Sequence, residues 1–115
     1  MVGSAGRKAV EQRLPGLREE LDVTFCVLNG ENVADGVGIT PKLAERLLAA
    51  GADVITLGNH TWRRREINPY LSGSERVVRP ANLASASPGR GLAVASATDG
   101  TKVAVINVLG SLFLS

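Results

Sequence analysis

The sequence predicts an α/β fold of parallel β-α units followed by a β-hairpin, and three observations carry that expectation. Two short apolar runs, 23–28 and 53–57, lack helical periodicity and are rich in β-branched residues, as buried strands of a parallel sheet are. Each run follows a segment whose apolar residues fall at helical spacing, so the chain reads helix, strand, helix, strand, the order that β-α-β crossovers produce. Further on, Asp99-Gly100 separates two more strand-like runs, a strong hairpin signal.

The elements follow in order. Val10, Leu14, Leu17 and Leu21 share one face of a helix over 7–21, which Pro15-Gly16 is expected to kink or restart. The run 23–28 is expected to be a strand buried on both faces, and a polar, glycine-bearing loop spans 29–39. Thr40-Pro41 reads as an N-cap followed by proline at the first helical position, Leu43, Leu47 and Leu48 as the buried stripe, and Gly51 as the stop. After the strand at 53–57, Gly58-Asn59-His60-Thr61 forms the loop at its carboxyl end. A short helix over 62–70, broken by Asn68-Pro69, and a short strand over 76–79, stopped by Pro80, are expected next. Residues 88–91 form a turn, and 92–98 and 102–109 pair across a two-residue hairpin turn.

Composition narrows the function. The chain has 115 residues, 44% hydrophobic and 21% charged, which suits one globular domain with a real core. Lys+Arg number 13 and Asp+Glu 11, a formal +2, and aromatics make up 3%. There is thus neither the charge nor the stacking surface for a stable nucleic-acid complex. The lone Cys26 excludes an internal disulfide and a cysteine-rich zinc site. The first eight residues lack the apolar core of a signal peptide, and the longest charge-free apolar run, 103–115, is short of the roughly 20 residues a membrane helix needs. A cytoplasmic protein without membrane partners is expected.

Ligands of open parallel sheets collect outside the carboxyl ends of the strands, where the loops 29–39 and 58–61 both lie. Glu31, Asn32, Asn59 and His60 therefore bring a carboxylate, amide oxygens and an imidazole to one edge, a donor set suited to a hard or borderline metal ion. Taken singly, each has a plainer reading: Asn29-Gly30 and Gly58-Asn59 as turn formers, Glu31 as a solvated carboxylate, His60 as a surface histidine. Gly36-Val37-Gly38 lacks the third glycine of a dinucleotide fingerprint and the lysine of a P-loop, which argues against a nucleotide-binding Rossmann-like domain. Arg63-Arg64-Arg65 suits either an anionic substrate or a solvated face, and Cys26 reads as inert core.

The ordered set NGEN (29–32), GITP (38–41), DVITLGNHTW (53–62), RPAN (79–82), PGRG (88–91) and KVAVINVLG (102–110) resembles the bacterial calcineurin-like metallophosphoesterases that include 2′,3′-cyclic-nucleotide 2′-phosphodiesterases. The resemblance spans nearly the whole chain. It implies a partial α/β/β/α sandwich in which residues 1–115 form the N-terminal half of a single domain, with the family's first strand and second half lying outside them. It also implies two metal ions, iron or manganese, that this chain alone does not hold fully. Glu31 matches the bridging carboxylate, Asn59 a ligand to one metal, Asn32 a ligand or near neighbour of the other, and His60 the histidine that protonates the leaving oxygen. Arg63 stands where the family usually has an acidic residue. The implied activity is hydrolysis of a small-molecule phosphodiester, with self-association a further expectation. The contrasting expectation is a non-catalytic α/β binding or oligomerisation module, or an inactive fragment of such an enzyme.

Overall fold

The computed structural model describes residues 2–32, 38–58, 67–83 and 87–110. Its elements run α1 (Gly3–Glu20), β1 (Val27–Asn29), α2 (Pro41–Ala50), β2 (Val54–Thr56), α3 (Ile67–Gly73), β3 (Val77–Val78), β4 (Leu92–Ser96) and β5 (Lys102–Ile106). Strands β1, β2 and β3 form a parallel sheet in that order, and β4 and β5 pair as an antiparallel hairpin.

The three helices supply one apolar layer on the sheet. Ala44 and Leu47 of α2, Ile67 and Leu71 of α3, and Ile55 and Val77 of the sheet are fully buried together, with Val10 and Leu28 packed alongside. Side chains alternate across a strand, so Val54 and Val78 face the other way. There they meet Ala93, with Phe25, Ala95 and Val105 around them. The hairpin thus covers the second face of the sheet, and its own outer face leaves Leu92, Val94, Ile106 and Val108 exposed.

Helix α2 forms as its sequence dictates. Thr40 Oγ1 accepts the Leu43 N–H at 3.3 Å, Pro41 fills a first-turn position that needs no N–H, and Gly51, at φ 129°, ends the helix. Strand β2 and the stop of β3 before Pro80 also match expectation.

Four expectations are corrected. Helix α1 neither stops nor restarts at Pro15. Tertiary bonds pin it on both sides of the proline: Glu11 accepts from Arg46 at 2.8 Å, while Arg18 Nη1 donates to Asp53 Oδ2 at 2.6 Å and to the Gly51 carbonyl at 2.7 Å. Strand β1 is shorter than the run 23–28 and half exposed, with Val27 at 45%, because it lies at the edge of the described sheet with β2 on one side. Residues before it are held by irregular bonds instead, Cys26 N–H to Asp53 Oδ2 at 2.8 Å and Thr98 N–H to the Thr24 carbonyl at 3.0 Å. Asn68-Pro69 opens α3 where a break was expected, since a first turn tolerates proline; residues 62–66 of the expected helix lie outside the described residues. The hairpin turn has three residues, not two. Ala97 N–H closes on the Thr101 carbonyl at 2.8 Å and Gly100 N–H on the Ala97 carbonyl at 3.0 Å, with Gly100 at φ 90°.

Cys26 is a free, half-buried thiol, and burial pushes its pKa up, in keeping with an inert core residue. Among the described residues, no helix is long and apolar enough to cross a membrane.

Where α2 meets α3, the Tyr70 hydroxyl donates to Glu45 Oε1 at 2.6 Å. Burial, reinforced by that carboxylate, pushes the phenol up to about 12. An unfolded chain ionises its tyrosine near pH ~10, so this contribution to stability is complete below that value and is lost as pH rises toward 12. Tyr70 is the single tyrosine of the chain, so a titration of tyrosinate absorbance reads it directly. A midpoint close to 12 is expected, and a midpoint at the ordinary value would show that the Glu45 contact does not form in solution.

Candidate functional site at the carboxyl edge of the sheet

The parallel register places Asn29 of β1 opposite Thr56 of β2, and Gly30 N–H continues the pairing by donating to the Thr56 carbonyl at 2.9 Å. Asn29 Oδ1 then accepts the Glu31 N–H at 3.1 Å, a turn closed by a side chain that lifts Glu31 off the end of the strand. The plainer reading of Asn29 as a turn former is therefore right.

Glu31 reaches across to the neighbouring strand. A β-carbon built on Gly58, directly after β2 and Leu57, would overlap the Glu31 carboxyl carbon and both of its oxygens. Glycine at 58 is what leaves room for this carboxylate. Gly58→Ala is accordingly expected to push the Glu31 carboxylate off this edge, with little change in the far-ultraviolet circular dichroism. The side-chain carboxyl signal of Glu31 in carbon-13 NMR checks this: it should shift in Gly58→Ala, and an unshifted signal would show that the close approach does not form in solution.

Three further segments converge on this edge. Val2 forms a parallel bridge to Asn32, and Gly3 N–H donates to the Asn32 carbonyl at 3.1 Å, so α1 starts there. The Asn107 side chain donates to the Leu57 carbonyl, while the Asn107 backbone carbonyl accepts the Ala81 N–H at 2.7 Å. Asn82 and Leu109 exchange two hydrogen bonds, at 2.7 and 2.9 Å. The exit of the hairpin is thereby clamped onto the ends of β2 and β3.

The structure thus brings Glu31 and Asn32 to the edge from which the chain continues into Asn59 and His60. Asn59, His60, Trp62 and Arg63 to Arg65 lie outside the described residues. The clamp by Asn107 and Asn82 escaped sequence reasoning, since asparagine in a strand-like run carries no local mark of a long-range partner. Among the described residues no group of three or more His, Cys, Asp or Glu gathers. The carboxylate of Glu31, seated in a glycine gap, fits an oxygen-ligated cation, yet the described donors do not make a complete shell. A cavity of about 550 Å³, lined by Glu45, Tyr70 and Arg76 among others, opens where the chain enters β3, away from this edge.

A parallel sheet that presents an acidic loop and a glycine-bounded loop at adjacent strand ends defines an α/β protein with its site at the carboxyl edge. The chain belongs to a specific family of that kind: the model of the YmdB-like proteins matches residues 1–115. It is 42% identical to the 2′,3′-cyclic-nucleotide 2′-phosphodiesterase of Bacillus subtilis, over 99% of this chain and 43% of that protein. A crystal structure of a hypothetical protein from Thermus thermophilus superimposes with a TM-score of 0.89 at 34% identity, covering 98% of this chain and 43% of that one. A novel phosphatase from Mycoplasma pneumoniae gives 0.85 at 31% identity, covering 96% and 40%. The chain therefore spans less than half the length of these relatives.

Proposed function

We propose that this chain is the N-terminal part of a metal-dependent phosphodiesterase acting on 2′,3′-cyclic nucleotides. The observation that carries the reading is the seating of the Glu31 carboxylate against Gly58, one residue before Asn59-His60. The activity for which the Bacillus subtilis relative is named supports the choice of substrate.

In this reading Glu31, Asn32 and Asn59 hold two iron or manganese ions, with further ligands from outside these residues. When bound, the metals supply positive charge for the phosphate oxygens and an acidified water as nucleophile. Asn29 fixes the turn that aims Glu31, and Gly58 gives its carboxylate room. His60 donates a proton to the ribose 2′ oxygen as the ring opens, leaving a 3′-phosphate. A cytoplasmic location accompanies the proposal.

The test is hydrolysis of 2′,3′-cyclic AMP by a version extended to the length of the relatives, followed by phosphorus NMR before and after chelation. Metal-dependent release of the 3′-phosphate is expected. Absence of hydrolysis, or turnover unaffected by chelation, would sink the reading.

A further inference from the structure

Arg79 is the one described residue with a charged side chain that counts as buried, at 7% exposure, and it sits directly after β3 at the same carboxyl edge. Strand alternation turns it toward the helical layer. A β-carbon on Gly89 would lie 3.1 Å from Leu71 Cβ and 3.6 Å from Arg79 Cγ, so the glycine turn 88–91 closes over its stem. Arg79 N–H donates to the Arg90 carbonyl at 2.9 Å, which fixes the backbone.

The guanidinium is poorly satisfied for a buried charge. Nη1 donates to the Pro80 carbonyl at 2.8 Å, whereas Nε is buried without a partner. The ion pairs among the described residues are Arg18–Asp53 and Arg46–Glu11, neither of which involves Arg79. Removing a charged group from water without an opposing charge or a full set of acceptors is costly. An anion would offset that cost. With Nη1 engaged, the side of the fork carrying Nε is the one left to receive it, and a guanidinium edge matches two oxygens of a tetrahedral oxyanion.

We propose that Arg79 is an anion-holding residue at the carboxyl end of β3 and that its ligand is a phosphate group. The choice of phosphate over other oxyanions rests on the phosphodiesterase reading; the binding itself does not.

The experiment is a titration of the nitrogen-15-labelled chain with inorganic phosphate at constant ionic strength, following the arginine Nε–Hε signals. A saturable shift of one signal is expected, the signal being that of Arg79 because Arg79→Lys removes it. Phosphate affinity, followed through backbone amides, should fall at least tenfold in Arg79→Lys, since an ammonium lacks the two-pronged edge. Thermal melts form the second arm. Phosphate should raise the Tm of the native chain, and Arg79→Met should melt higher than the native chain in chloride and lose the phosphate response. No saturable shift, or undiminished affinity in Arg79→Lys, overturns the proposal. So does an Arg79→Met variant that melts lower or fails to fold, which would assign the guanidinium to an internal contact. Sulfate in place of phosphate separates a general oxyanion seat, where both bind alike and the phosphate assignment falls, from a phosphate site. Failure of 2′,3′-cyclic AMP hydrolysis in the extended protein would count against the phosphodiesterase reading while leaving this equilibrium measurement intact.

Discussion

His60→Gln, introduced into a version extended to the length of the relatives, is expected to slow hydrolysis of a 2′,3′-cyclic nucleotide by about 10²–10⁴-fold, the usual cost of losing a positioned general acid. Metal content should stay nearly unchanged, because the proposal makes His60 a proton donor and gives the metals to Glu31, Asn32 and Asn59. The penalty should depend on the leaving group. A ribose alkoxide leaves badly unless protonated, whereas a nitrophenolate needs little help, so a nitrophenyl phosphodiester should be slowed much less. Both substrates measured in parallel on metal-quantified protein decide the matter. If the variant loses metal, or slows both substrates equally, His60 is not the acid.

Leu47→Ala is expected to cost about 2–5 kcal/mol, the range for removing most of a fully buried leucine side chain and leaving a cavity. A domain of this size has about 5–15 kcal/mol in all, so the variant should show a large drop in its urea midpoint, if it folds. Leu47 of α2 is fully buried in one cluster with Ile55 and Leu57 of the second strand and its exit. Leu17, on the helical face read from the same kind of spacing, is 42% exposed, and Leu17→Ala should change stability by less than about 1 kcal/mol. Equal losses in urea titrations of the two variants would mean that α1 packs more tightly than the structure describes.

That contrast bears on what the sequence makes legible. Helix α2 could be read to the residue because its signals are local: Thr40 caps it, Pro41 starts it and Gly51 stops it. The rule that ligand loops gather at the carboxyl edge also placed Glu31 beside the loop after β2, without revealing that Gly58 makes the space. Misreadings arose where distant partners decide the outcome. Pro15 lies in an unbroken helix because Arg18 and Glu11 are tied to residues far along the chain, and β1 is half exposed although its composition matches that of a strand covered on both sides. Burial of Arg79 has no local signature either, since an arginine before a proline usually reads as the wet end of a strand.

The hydrogen bond from Asn107 to the Leu57 carbonyl joins residues 50 positions apart. Its consequence is temporal. The β4–β5 hairpin can close within itself in about 1–10 μs, but the carboxyl edge is complete only once the hairpin has docked, and the loop-closure entropy of that long connection must be met first. Glu31 and Gly58 emerge from the ribosome well before Asn107. During synthesis at about 5–20 residues per second, both strand ends that frame the edge are therefore present for seconds before the segment that fastens it.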